Sequence, residues 1–228
     1  MARPIPMNPR KIASQRRSQA TVEALLDATA RILVREGYDR ASTNRIAAVA
    51  GVSVGSLYQY FPNKESIVAA LIARHTRAML DLLKDAMSAV AALDLESAMR
   101  ELVAAMVDAH RVDPALHRIL DEQIPRMGRL DEIEAINREV FALVRAYLEE
   151  RRGEIAAIDL DTATFICVTA VETLTHEAVL RHPDMIEPAG LVEEVTRLVV
   201  GYLRPVGVSA GEDIKSSPGG GPAKLVEG

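Results

Sequence analysis

"TNRIAAVAGVSVGSLYQY", residues 43–60, meets the steric demands of two short helices packed across a tight turn. Helices joined by three or four residues approach closely, so the first needs a small residue at the contact, and Ala47 supplies it. The turn needs a residue tolerant of positive φ, and Gly51 stands four positions later. Ile46, Ala50, Val52 and Leu57 are the apolar positions that fix the angle between the helices. Thr43 and Ser53 are each placed as an N-cap, one per helix. Together these positions predict a helix-turn-helix, with helices over 43–50 and 54–60.

Outward from this stretch the chain of 228 residues reads as helix throughout. It is 49% apolar and 26% charged, the balance of a soluble globular protein. Gly and Pro are gathered at a few places, which favours an all-α fold of about nine helices. A helix is predicted over 18–36, with Leu25, Ala28, Ile32 and Leu33 on one stripe and Gly37 as its stop. A long helix follows Pro62-Asn63, over 64–91. Further spans are 95–112, 115–124 stopped by Pro125, 130–152, 160–181 and 188–204. Strict alternation of the strand type is absent, and so is any internal repeat.

The flanks differ in character. Residues 1–17 read as a flexible basic arm and residues 205–228, rich in Gly, Pro and Ser, as a disordered tail. No apolar h-region follows the basic amino terminus, and no apolar run approaches the roughly 18 to 20 residues of a membrane span. A cytoplasmic protein with no membrane partner is expected. The single cysteine, Cys167, excludes an internal disulfide framework and a multi-Cys zinc site.

Charge separates a head from a body. Residues 1–64 hold ten Lys or Arg against four Asp or Glu, a net of +6; the remainder holds 17 against 28, a net of −11. A basic head on an acidic body points to a polyanion as the partner of the head alone. The division expected is an arm (1–17), a helix-turn-helix domain (18–64), a helical body (65–204) and a tail (205–228).

"IAAVAGVSVGSLYQYFPNKESI", residues 46–67, resembles the signature of the TetR family of bacterial transcriptional regulators. The Ile-Ala pair, the Ala-Gly-Val-Ser turn, the Gly-x-x-Tyr-x-Tyr-Phe helix and the Lys-Glu helix start stand in that family's order and spacing. Ser42 and Ile67 depart from it conservatively, where Thr and Leu are usual. The resemblance implies a reading helix over 54–60 in the major groove of a palindromic operator. It implies phosphate contacts from Thr43, Ser56, Tyr58, Tyr60 and Lys64, and base-edge positions at Asn44, Val54, Gln59 and the backbone of Gly55, with Arg45 on the same side. The chemistry agrees: phosphate contacts position, Gln and Asn pair with adenine, and Val touches a thymine methyl.

A head of about 60 residues reads too few bases alone, so a second copy is expected. Leu191, Val195, Leu198, Val199 and Tyr202 form an apolar stripe, and the helix before it is apolar on nearly all sides. The resemblance implies that these two helices, with Val168, Val171 and Thr175, pair with their mates in a homodimer. Met79, Leu83, Met106, Phe141 and Phe165 are candidate walls of an effector pocket, with His110, His117, Glu172, Thr173 and His176 as polar handles. Two readings of the body stand: a sensor that releases a repressor from DNA when a small lipophilic or aromatic molecule binds, or a body that only dimerises or recruits a protein. No enzyme is expected, since "HEAVL" at 176–180 lacks the second zincin His, and no nucleophile elbow or phosphate loop occurs. Neither cofactor nor metal is implied.

Overall fold

The computed structural model describes residues 7, 9, 16–127, 130–156, 158–183 and 187–204. The expected arm, apart from Met7, Pro9, Arg16 and Arg17, and the whole of the expected tail (205–228) lie outside them. The described residues form nine α-helices and no strand: α1 (Arg16–Glu36), α2 (Thr43–Ala50), α3 (Val54–Tyr60), α4 (Lys64–Ala89), α5 (Leu95–Val112), α6 (Pro114–Met127), α7 (Asp131–Glu150), α8 (Leu160–Arg181) and α9 (Pro188–Leu203).

Local chemistry sets most boundaries. Gly37 ends α1 at φ 81°, its N–H reaching the Leu33 carbonyl. Asn63 and Ser66 form a reciprocal cap that starts α4, and Asp94 and Asp159 cap α5 and α8. Pro114 is the first residue of α6, where a missing N–H costs nothing, and Asp113 accepts from the Leu116 N–H at 3.0 Å. The stop expected at Pro125 does not occur, because α6 continues to Met127. A proline so near the end of a helix forfeits one hydrogen bond with little helix left to disrupt.

Two apolar cores result. Leu25, Ile32 and Leu33 of α1, Ile46 and Ala47 of α2, Leu57 of α3 and Ile67 and Leu71 of α4 form the first, with Leu120 of α6 reaching into it. Leu57 is fully buried, so Leu57→Ala would cost about 2–5 kcal/mol and release α3 from its support. The second joins Val103 and Val107 of α5, Leu148 of α7, Cys167 of α8 and Val195 and Val199 of α9. Arg151 fastens its edge: the buried guanidinium donates to the carbonyls of Ala91 and Leu93 at 3.0 and 3.2 Å and lies over the Tyr147 ring.

One sequence expectation fails on length and composition. α8 has 22 residues with a mean hydropathy of 1.2 in its most apolar window, long and apolar enough to cross a membrane. Its apolar residues are interrupted by Glu172 and Glu177, and Ala163, Cys167 and Thr175 are buried in the body. α5, α6, α7 and α9 all pack against it.

Candidate nucleic-acid interface and body cavity

α2 and α3 are held by their ends. The cap of α2 is Ser42 rather than Thr43: its backbone is extended and its hydroxyl accepts from the Arg45 N–H at 3.2 Å. That leaves Thr43 in the first turn, its hydroxyl 3.1 Å from that of Tyr58. Gly51 makes the turn at φ 69°, a left-handed value. Ser53 caps α3, accepting from the Ser56 N–H at 3.0 Å, and the two hydroxyls are 2.8 Å apart.

Asn44, Arg45, Val54, Gly55, Tyr58 and Gln59 form an exposed surface, with Thr43, Ser56 and Lys64 partly exposed beside them. Tyr60 does not share it. Its side chain is 8% exposed and packs into the head core, because residues 57 and 60, three apart, fall on one face of α3. The expected hydroxyl-bearing face therefore rests on Tyr58, Thr43 and Ser56. Arg45 is engaged with Glu36 at 2.9 Å, and the same bond holds the Glu36 carboxyl below its ordinary range. The Lys64 ammonium donates to the Tyr38 carbonyl at 3.1 Å and lies 3.9 Å from the centre of the Tyr38 ring. Both cations keep further N–H donors. At Gly55 an added Cβ would meet only the Ser53 hydroxyl at 3.9 Å, so nothing inside the protein requires glycine there.

In the body a cavity of about 380 Å³ lies among α4 to α9. Of the expected walls and handles, Met79, Leu83, Met106, His110, His117, Phe141, Glu172 and His176 line it. Phe165 and Thr173 do not. Phe165 is 57% exposed on the outside of α8, because a helix apolar on nearly every side gives no signal of which face turns inward. Four helices contribute an imidazole each. His75 Nε2 and His117 Nδ1 are 2.9 Å apart, and the ring of His110 lies 4.5 Å and that of His176 5.3 Å from the ring of His117. Burial lowers the pKa of His75 and His110. For His117, burial and the neighbouring imidazoles push it to about 3. His176 Nε2 makes no hydrogen bond within the protein, and Asp121 Oδ2 lies 3.6 Å from it.

His75, Asp121 and Tyr147 line the same cavity and were missed in the sequence. His75 was legible, one helical turn before Met79 on the same face of α4. Among the described residues no three His, Cys, Asp or Glu donors are arranged to hold a metal ion. Cys167 is buried, which pushes its thiol up to about 11 and leaves it a poor nucleophile.

The residues of the expected dimer face differ in exposure within the single chain. Thr175, Val195 and Val199 are buried within the body, and Val168 and Val171 line the cavity. Leu191 and Tyr202 are partly buried against the second core. Leu198, at 53%, is the exposed member of the expected set, and Phe165, Ile166 and Leu174 of α8 are exposed as well.

Comparison with known proteins matches both parts of this architecture. Residues 25–71 match the model of bacterial regulatory proteins of the tetR family, and residues 94–203 that of a tetracyclin repressor-like C-terminal domain. A helix-turn-helix-type transcriptional regulator of Mycobacterium tuberculosis is 26% identical over 183 residues, covering 78% of this chain and 92% of its own. The nucleoid occlusion factor SlmA of Haemophilus ducreyi is 28% identical over 120 residues, 53% of this chain and 56% of that protein. Among solved structures, the transcriptional regulator FadR of Bacillus subtilis in complex with stearoyl-CoA superposes with a TM-score of 0.64 at 20% identity, over 80% of this chain and 99% of that one. The chain belongs to the TetR family of transcriptional regulators, an all-α protein with an N-terminal helix-turn-helix and a C-terminal helical domain.

Proposed function

We propose that this regulator is a homodimeric, cytoplasmic repressor that binds a palindromic operator through residues 43–64 and is released when a small lipophilic molecule fills the body cavity. The observation that carries this reading is a shared wall. Ile72 of α4 and Leu120 of α6 belong to the core that supports α2 and α3, and both also line the cavity. A molecule in the cavity thus presses on side chains that hold the reading helix. In this reading residues 18–64 are the head and 65–204 the sensing and dimerising body. Thr43, Ser56, Tyr58 and Lys64 hold phosphates; Asn44, Val54, Gln59 and the Gly55 backbone face bases. The fold has room for such a guest, as the stearoyl-CoA complex of FadR illustrates for that protein.

For the coupling, effector binding favours a body conformation in which α4 swings and moves the two heads away from a spacing of about 34–36 Å, one turn of DNA. The test pairs two measurements: a thermal-shift survey of lipophilic compounds, and operator affinity with and without each compound that raises the melting temperature. A tight ligand that leaves operator affinity unchanged contradicts the coupling. It would favour the second reading, a body that only dimerises or recruits a protein.

A further inference from the structure

The polar groups of the cavity are collected rather than scattered, and their hydrogen-bonding character is unequal. His110 Nδ1 lies 2.7 Å from the Met106 carbonyl oxygen, which can only accept, so Nδ1 carries the proton. In a neutral ring Nε2 is then a bare lone pair. His176 Nε2 is buried with no hydrogen-bond partner. Glu172 lines the cavity from an exposed position on α8, its carboxylate within electrostatic reach of His176 and without a direct hydrogen bond or ion pair among the described residues. Asp121 adds a second carboxylate, 3.6 Å from His176 and 3.9 Å from Arg181, which is itself 3.3 Å from Glu177. The cluster is therefore rich in acceptors and negative charge.

We propose that the cavity takes an amphipathic primary amine, its ammonium held by Glu172, the His110 Nε2 lone pair and His176, and its apolar tail lying along Met79, Leu83 and Met106. This deepens the effector reading above and rests on it. An ammonium brings three N–H donors and one positive charge to the acceptors Glu172, Asp121 and His110 Nε2. A carboxylate head would meet two carboxylates. It would also need imidazolium partners, and His117 stays uncharged at neutral pH while burial also lowers His75 and His110. Partial burial raises the pKa of Glu172, and the neighbouring His176 opposes that rise.

Isothermal titration of the full chain with octylamine, octyltrimethylammonium, 1-octanol and octanoate, which share one tail, tests the head group. Octylamine is expected to bind at least ten-fold more tightly than 1-octanol and octanoate, and more tightly than the trimethyl compound, which has no N–H. Glu172→Gln is expected to remove about ten-fold of octylamine affinity and to leave 1-octanol unchanged; His176→Gln weakens octylamine in the same sense. Met79→Trp, which fills the tail region, is expected to weaken octylamine, and unchanged affinity would place its site elsewhere and overturn the proposal. Equal or tighter binding of 1-octanol or octanoate overturns the ammonium head while leaving a lipophilic effector cavity standing. Equal binding of octyltrimethylammonium overturns the hydrogen-bonded seat. Binding of none of the four overturns the proposal and counts against the effector reading itself.

Discussion

The hydroxyls of Thr43, in the first turn of α2, and Tyr58, in the middle of α3, lie 3.1 Å apart across the helix-turn-helix. They join the exposed faces of the two helices at one point, and each can turn its O–H toward a third oxygen. Tyr58→Phe removes one hydroxyl from an exposed pair, so the melting temperature is expected to move little. Operator affinity should fall by a few-fold, about 1 kcal/mol, and by the same factor on every sequence tested. Gln59→Ala is expected to behave differently, losing about 1–3 kcal/mol of discrimination at one base pair while other positions stay unchanged. Gel shifts on a set of single-base operator variants separate the two patterns.

Gly55 provides a sharper contrast between folding and function. No atom of the protein crowds its missing Cβ, and its φ is not among the positive ones. Gly55→Ala is therefore expected to stabilise the head by about 0.5–1 kcal/mol through helix propensity, while weakening operator binding. Denaturation and gel shift on the same variant check both. A stabilised variant with full affinity would remove Gly55 from the interface.

Acid should expose the histidine cluster. The pKa of each of His75, His110 and His117 is lower in the folded chain than its ordinary value near 6.5. The unfolded chain then binds more protons below pH 6.5, so stability is full above that value and falls as pH drops toward about 3, where His117 titrates. Melting temperature is expected to decline from pH 6.5 to 5, and His117→Gln to flatten that decline. An unchanged slope in the variant would show that His117 gains its proton as easily folded as unfolded.

The outward face of α8 and α9 predicts which residues control self-association. Leu198→Glu and Ile166→Glu alter exposed side chains, so the subunit is expected to keep its fold and lose its partner in sedimentation velocity. Val195→Glu buries a charge in the second core and is expected to unfold the body instead. A Leu198→Glu protein that remains dimeric would move the interface elsewhere.

These contrasts show where the sequence spoke clearly. Gly37, Gly51, Ser53, Asn63 and Pro114 act through local backbone geometry, so the helix order and the turn could be read from them directly. Ser42 took the cap expected of Thr43 because either hydroxyl suits that site and the choice depends on where the extended backbone ends. The resemblance implies an outward Tyr60, whereas its spacing of three from Leu57 puts it on the inward face of α3. The orientation of α8 was beyond reach, since residues apolar on every side leave tertiary packing to decide which face meets the cavity. His75 joins His117 across 42 positions of sequence, a pairing that only the crossing of α4 and α6 creates.

The central claim is that residues 43–64 read a two-fold symmetric DNA site as a pair of heads. Selection by the full-length protein from random double-stranded DNA tests it most directly. The account predicts enrichment of an inverted repeat whose half-sites lie about 34–36 Å apart centre to centre, with base preference altered by Gln59→Ala. Enrichment of a single unpaired half-site, or of no sequence at all, would contradict it.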